Sequence, residues 1–279
     1  MITIRSITRM QALAERWRRA GLRVGLVPTM GALHAGHLSL VRASRARTDR
    51  TVVSVFVNPI QFGPREDLAR YPRPFAHDRA LLARAGVHAL FAPSAAAMYP
   101  RGFATAVAVE GSLVAGRCAP RRPGHFRGVA TVVAKLLNAA RPHVAFFGAK
   151  DRQQALVIAR MARDLDVGVA IAVCPIVREP DGLALSSRNR YLSPGERRAA
   201  PALHRALAAG AASVRAGERS AARVRAAMRR VLAAEPGVRV QYLATVDART
   251  LAPLSRLRGP VLLAAAAFLG RTRLIDNLS

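Results

Sequence analysis

Two imidazoles, His34 and His37, stand three residues apart in the run Val27-Pro28-Thr29-Met30-Gly31-Ala32-Leu33-His34-Ala35-Gly36-His37-Leu38. Neutral imidazoles at that spacing can both donate to phosphate oxygens, and either can take up a proton as negative charge builds there. Gly31 and Gly36 let the backbone come close to a ligand. Phosphate is the guest these groups suit. To position it, a strand must turn into a helix. Residues 24–27 read as a short buried strand that Pro28, lacking an N–H, closes. A helix then begins near His37, with Leu38, Val41 and Arg42 following. Its first free amides and the positive end of its dipole would face whatever sits over the strand's carboxyl end.

The same alternation continues along the chain. Residues 51–57 are an almost unbroken β-branched run, the pattern of a parallel strand buried on both faces, and they end at Asn58-Pro59-Ile60-Gln61-Phe62-Gly63. Helical spacing through Leu81, Leu82 and Ala85 stops at Gly86, and 87–92 is the next strand. Over 127–140, Val129, Val132, Val133, Leu136 and Leu137 fall on one helical stripe. A strand over 143–147 leads to the loop Gly148-Ala149-Lys150-Asp151, then to a helix running to about residue 166 that Asp151 can cap, then to a strand over 167–177. Parallel pairing, right-handed crossovers and a ligand crevice at the strands' carboxyl ends follow. Beyond Arg178 the pattern changes to a polar loop over 178–190, a capping box from Ser193 to Glu196 with Pro194 at the first helical position, two Ala/Arg-rich helices, and short strands at 238–246, 261–268 and 271–275. The expected fold class is α/β: a Rossmann-like parallel-sheet domain over 1–177 and a smaller α+β domain over 178–279.

Composition narrows the function classes. The chain has 279 residues, 51% of them hydrophobic, enough for a substantial core. Its longest apolar runs, such as 261–269, are too short to span a bilayer, and Met1-Ile2-Thr3-Ile4-Arg5 lacks a signal-peptide pattern, so a soluble cytoplasmic protein is expected. Cys118 and Cys174 are isolated, with neither metal spacing nor a disulfide framework, which suits a reducing compartment. The net charge of +28 comes from 44 basic residues, of which only Lys135 and Lys150 are lysines. An evolved nucleic-acid surface clusters its basic groups and interleaves aromatics, whereas here the arginines are spread through every helix and aromatics are 5%. They read as solvated helix faces, implying no specific nucleic-acid partner and only weak, salt-sensitive binding to nucleic acid.

The His34-Ala35-Gly36-His37 element resembles the His-x-Gly-His element of adenylyl-transferring Rossmann-like enzymes, among them the class I aminoacyl-tRNA synthetases. Further motifs follow in order: Phe56-Val57-Asn58-Pro59-Ile60-Gln61-Phe62; Glu66-Asp67 with Arg70-Tyr71-Pro72-Arg73; Arg122-Pro123-Gly124-His125-Phe126-Arg127-Gly128-Val129; Gly148-Ala149-Lys150-Asp151-Arg152-Gln153-Gln154; Leu185-Ser186-Ser187-Arg188-Asn189; and Arg273-Leu274-Ile275-Asp276-Asn277. Over nearly its whole length the chain resembles the pantoate–β-alanine ligases. The resemblance implies ATP-dependent condensation of (R)-pantoate with β-alanine through a pantoyl-adenylate, releasing pyrophosphate and then AMP, with Mg²⁺ and in a homodimer. It assigns catalysis to His34, His37 and Lys150, with His37 the candidate proton donor. ATP contacts carry over to Met30, Gly31, Ala32, Leu33, His34, Ala35, Gly36 and His37, to Gly148, Ala149, Lys150 and Asp151, to Val177, and to Leu185, Ser186, Ser187 and Arg188. Pantoate falls to Met30, Gln61 and Gln154, and β-alanine to Gln61; no protein-held metal is expected. On chemical grounds Lys150 can bridge phosphates as a compact charge, while Ser186, Ser187 and Arg188 offer hydroxyl and guanidinium donors on a loop that a closing small domain would deliver.

Other positions admit two readings. Helix capping explains Asp151 as well as a nucleotide or metal role does; Arg122 and His125 are either structural or close to substrate; and Arg273 with Asp276 reads as a domain-packing ion pair. The chain departs from the family's usual pattern at Ala149, commonly Glu, at Arg152, commonly aromatic, and at Leu185, commonly Met. Leu for Met conserves volume. Ala149 removes a carboxylate beside Lys150, which leaves that lysine's orientation open. Two rival functions are a transferase passing AMP to a phosphate monoester and a nucleic-acid binder on an old nucleotide fold. Gln61 and Gln154 speak against the first, because a phosphate acceptor calls for more cations there.

Overall fold

The computed structural model describes residues 1–64 and 66–279. In chain order its first part comprises β1 (Ile2–Ile4), α1 (Ile7–Arg19), β2 (Val24–Thr29), α2 (Ala35–Arg47), β3 (Arg50–Val55), α3 (Phe75–Arg84), β4 (Ala89–Phe91), α4 (Ala95–Met98), α5 (His125–Ala140), β5 (Val144–Gly148), α6 (Arg152–Asp164) and β6 (Ala170–Cys174). The strands form one parallel sheet in the order β1-β4-β3-β2-β5-β6. From β2 the chain winds outward through β3 and β4, then returns to the other side of β2 with β5 and β6. The reversal lies between β2 and β5, and in such a sheet the ligand crevice opens there, beyond the strands' carboxyl ends.

Two apolar layers sandwich the sheet. Met10, Leu13 and Ala14 of α1, Val129, Val133, Leu136 and Leu137 of α5, and Ile158 and Met161 of α6 pack on one face. Leu40 and Val41 of α2 and Leu82 of α3 pack on the other, against Val27, Val53, Leu90 and Phe146. The remaining elements are α7 (Pro194–Ala199), α8 (Ala202–Arg215), α9 (Ala221–Ala233), β7 (Val238–Asp247), β8 (Val261–Leu269) and β9 (Thr272–Leu278). Their strands make a three-stranded antiparallel sheet with β8 in the middle, and Leu203, Leu207, Val224 and Met228 bury its helical side. Among the described residues no helix is long and apolar enough to cross a membrane. The α/β class with a Rossmann-like parallel sheet and a smaller α+β unit is what the sequence pattern predicts, and the Ser193–Glu196 capping box forms with Pro194 in the first turn.

Several local readings need correction. Pro28 does not close β2, which continues through Thr29. The carbonyls of Arg23 and Thr29 accept from the β3 side and that of Val24 from the β5 side, so by alternation the nitrogen of Pro28 points toward β5. Pairing with β5 ends at Leu26, and the missing N–H therefore breaks no ladder bond. The second helix begins at Ala35, not near His37, because His34 takes the N-cap. Asp151 stands at the N-cap of α6, but its side chain makes no capping bond. Strand β6 is five residues, shorter than the 167–177 run, since the chain leaves the sheet after Cys174.

Candidate active site

At the reversal point the structure forms a half-open cavity of about 230 Å³. The carboxyl end of β2 contributes Met30, and the first turn of α2 contributes His34, Gly36 and His37. Asn58 and Gln61 come from the tight turn after β3, Gly148, Lys150 and Asp151 from the turn after β5, and Gln154 from the start of α6. Val177 and the segment Leu185, Ser186, Ser187 and Arg188 close the remaining side. Arg122 and His125 also lie on this wall. Five of the expected nucleotide contacts do not line it: Gly31, Ala32, Leu33, Ala35 and Ala149.

For Gly31, Ala32 and Leu33 the reason lies beneath the cavity. Asp78 of α3, 1% exposed, accepts the amides of Ala32 and Leu33, at 2.8 Å each. It thereby holds a bend in which Gly31 and Ala32 both have positive φ, at 83° and 51°. The amides of Gly36 and His34 are likewise satisfied internally, by His34 Nδ1 at 3.1 Å and His37 Nδ1 at 3.4 Å. The amides of Ala32, Leu33, His34 and Gly36 are therefore not free for a ligand, and the side-chain donors of this turn that line the cavity are the rings. With each Nδ1 accepting from an amide, a neutral ring carries its proton on Nε2. Burial, reinforced for His34 by the charge of Lys150 and for His37 by that of His34, pushes the pKa values down to about 4 and about 3. Both imidazoles are neutral Nε2–H donors near pH 7, with ring centroids 4.1 Å apart.

A second set of bonds orients Gln61. Tyr99 Oη donates to Asn58 Oδ1 at 2.7 Å, and Asn58 Nδ2 donates to Gln61 Oε1 at 3.0 Å and to the Gly128 carbonyl at 3.1 Å. The Gln61 oxygen is thus occupied and its NH₂ is left to face the cavity beside Met30 Sδ, 3.2 Å away. His125 Nδ1 donates to the Gln61 carbonyl at 2.9 Å, so its Nε2 accepts from Arg122 Nη1 at 2.9 Å. Burial and the Arg122 charge push this imidazole down to about 4. Arg122 in turn forks Glu66. Of the adjacent glutamines on α6, only Gln154 reaches the cavity; Gln153 points away, accepting from the Cys118 amide and donating to the Leu113 and Gly116 carbonyls.

The cationic side is anchored from the C-terminal sheet. Asn277 Nδ2 of β9 donates to the Ala149 and Lys150 carbonyls at 3.0 and 2.9 Å, fixing the backbone that carries Lys150 although no glutamate stands at 149. Arg188 forks Asp67 at 2.8 and 2.9 Å, and Ser187 Oγ lies 3.2 Å from Tyr71 Oη. Desolvation works to raise the Asp151 carboxyl, but Lys150, Arg188, His125 and Arg122 outweigh it and hold the group below the usual carboxylate range. Arg273 and Asp276 do not pair, contrary to expectation: Asp276 forks Arg178 at 2.6 and 2.9 Å, while Arg273 meets Gln241 and Cys118. Strand alternation explains this, because residues three apart on a strand face opposite sides.

Sequence reasoning missed the supporting residues Asn58, Asp67, Tyr71, Asp78 and Tyr99. Asn58, Asp67 and Tyr71 fall inside the family motifs with no role assigned to them. Asp78 had a signal of its own, a carboxylate four residues before Leu82 on a buried helix face. Tyr99 had none.

A family model described as pantoate-beta-alanine ligase matches residues 2–279. A pantothenate synthetase of Moorella thermoacetica is 58% identical over 94% of this chain and 92% of its own, and one of Rubrobacter xylanophilus is 57% identical over 98% and 97%. The crystal structure of the pantothenate synthetase from Thermus thermophilus matches with a TM-score of 0.95 at 50% identity, covering 100% of this chain and 99% of its own. That of Francisella tularensis pantoate-beta-alanine ligase, complexed with beta-gamma ATP and beta-alanine, matches with 0.81 at 30% identity, over 100% and 97%. With a full-length family match, relatives above half identity and the same fold, the chain belongs to the pantoate–β-alanine ligase family.

Proposed function

We propose that the chain carries out the ATP-dependent condensation of (R)-pantoate with β-alanine to pantothenate through a pantoyl-adenylate formed in the 230 Å³ cavity. One observation carries this reading: the wall joins two neutral imidazole donors and Lys150 to an amide and thioether pair, Gln61 and Met30, in a single space. The first group suits phosphate; the second suits a small hydroxy acid with a branched apolar body. The Francisella relative's complex with beta-gamma ATP and beta-alanine supports a nucleotide and that amine as substrates of this chain.

In the first step a pantoate carboxylate oxygen attacks the α-phosphorus of ATP, and the bond to pyrophosphate breaks. His34 and His37 Nε2–H groups donate to the phosphate oxygens, and Lys150, with Ser186, Ser187 and Arg188, stabilises charge moving onto the leaving pyrophosphate. Gln61 NH₂ and Gln154 hold the pantoate, whose apolar methyls contact Met30. In the second step the β-alanine amine, placed beside Gln61, attacks the acyl carbon, loses a proton to solvent, and AMP leaves. Among the described residues no Ser or Cys on the wall has a base in the arrangement an acyl-enzyme needs.

Magnesium, which the resemblance implies, finds no cage of protein ligands: among the described residues no three His, Cys, Asp or Glu cluster, and Asp151 is the one carboxylate on the wall. Such an ion would come on the nucleotide's phosphates. We divide the chain into a nucleotide- and pantoate-binding domain over 1–177 and a lid domain over 178–279, because the parallel sheet ends at Cys174 and Leu185–Arg188 approaches the cavity from the other part. A cytoplasmic homodimer is the family's implication, and edge strand β6, with Val173 38% exposed, leaves an apolar margin for a second copy. The test is isotope exchange of pyrophosphate into ATP, which should require pantoate and proceed without β-alanine; exchange only in the presence of β-alanine would replace the adenylate with a concerted mechanism.

A further inference from the structure

On the far side of Lys150 and Gln154 from the nucleotide cavity lies a second, smaller one of about 50 Å³. Arg117, Arg152 and Arg273 reach it, together with Tyr242 and Cys118. Arg117 is 8% exposed; its Nη1 donates to the Leu251 carbonyl at 2.8 Å and its Nη2 to the Ser112 carbonyl at 3.2 Å, while its Nε is buried without a partner. Arg152 makes one long contact, Nη2 to the Ala248 carbonyl at 3.4 Å, and its Nε is also buried and unpartnered. Arg273 Nε donates to Gln241 Oε1 at 2.9 Å, and its Nη2 rests 3.2 Å from Cys118 Sγ. Among the described residues none of the three guanidinia forms an ion pair. Of the two carboxylates that reach the same cavity, Asp276 is engaged with Arg178, and Asp151 is exposed and makes no ion pair with any of the three guanidinia.

Three guanidinia gathered without an ion-pair partner, Arg117 buried and Arg152 and Arg273 half-buried, two of them with a buried Nε left unpartnered, are costly to desolvate. An anion would satisfy both deficits at once. The space admits a few water molecules or one tetrahedral ion on the order of that size, but no nucleotide. We propose that this cavity binds one small inorganic oxyanion of the phosphate type, held between Arg117 and Arg152. The ion ties the start of α6 to the loop before α5 and, through Arg273, to β9. It does so directly behind the backbone that carries Lys150, whose carbonyl β9 already grips through Asn277.

The test titrates inorganic phosphate calorimetrically into the full-length protein at constant ionic strength, with a non-hydrolysable ATP analogue filling the larger cavity. One phosphate should bind per chain. Arg152→Gln removes one charge-assisted donor and only a 3.4 Å contact, so it should fold normally and weaken phosphate binding by about tenfold or more. Arg117→Gln should weaken it likewise. Crystals of the wild type soaked in selenate should give an anomalous signal between the two Nε atoms. The proposal is overturned by phosphate binding that Arg152→Gln leaves intact, by no saturable binding to the wild type, or by a selenate signal confined to other places.

Discussion

Substituting Gly128 by alanine puts a single methyl group where the α5 helix touches the turn that carries Gln61. A Cβ built on Gly128 would lie 2.4 Å from the Ile60 carbonyl oxygen and 2.7 Å from Gln61 Cα, both backbone atoms that cannot rotate away. Ordinary contact would need about 1 Å more room. The turn is bonded internally through Asn58 and to the start of the same helix through His125, so the displacement must be taken up by Gln61 itself or by the helix. Overpacking of this kind costs about 1–3 kcal/mol, against which the gain in helix propensity of Ala over Gly returns at most ~1 kcal/mol. Moving Gln61 by about 1 Å relative to the bound carboxylate should cost on the order of 100-fold in rate. Gly128→Ala should therefore lower kcat/KM for pantoate far more than it lowers the melting temperature, with ATP affinity little changed. Steady-state kinetics with each substrate varied, beside thermal unfolding, would measure both. Wild-type kcat/KM for pantoate in a folded Gly128→Ala protein would refute the argument that this contact places Gln61.

Lys150→Ala should slow single-turnover adenylation by about 100- to 1000-fold while leaving pantoate affinity nearly unchanged, since its charge matters most as pyrophosphate departs; an unaltered adenylation rate would remove Lys150 from the reaction. Gln61→Ala should weaken pantoate binding by about 1–3 kcal/mol through the lost donor, measured by calorimetry beside an ATP titration that should not move. His34, His37 and His125 have folded pKa values of about 4, 3 and 4 against an ordinary 6.5, so the unfolded chain binds more protons between those limits. Their contribution to stability is complete above pH 6.5 and is lost as the pH falls toward 4. Melting temperatures measured from about pH 7 to about pH 4.5 should fall, and His37→Gln should flatten that slope; a parallel slope would mean the imidazole is not held neutral.

Much of the fold was legible because its signals are periodic. The stripe of Val129, Val132, Val133, Leu136 and Leu137 becomes the buried face of α5, and the β-branched run after residue 50 becomes the sheet's interior. The site motifs brought Met30, Gln61, Lys150 and Arg188 to one wall because the first three sit just beyond strand ends on the same edge and the 185–188 segment meets them there. What the sequence could not express is partnership at a distance. Asp78 lies 46 residues from Ala32, whose amide it holds, and Tyr99 lies 41 from Asn58, so neither spacing has a period to detect. The His34 ring illustrates the opposite error: besides facing the cavity it caps the helix, which moves the helix start and consumes the Gly36 amide.

That double use of the imidazoles has a bearing on trace metals. Histidines three or four residues apart on a helix are a common chelating pair for zinc and nickel, which bind a ring nitrogen bearing no proton. In this chain a metal at Nε2 would oblige each ring to carry its remaining proton on Nδ1, and the amides of Gly36 and His34 would then face a donor where they need an acceptor. Chelation thus demands that the first turn of α2 come undone. The cavity beside this turn is in this way armoured against adventitious zinc, and inhibition by that ion should set in only where α2 itself begins to fray.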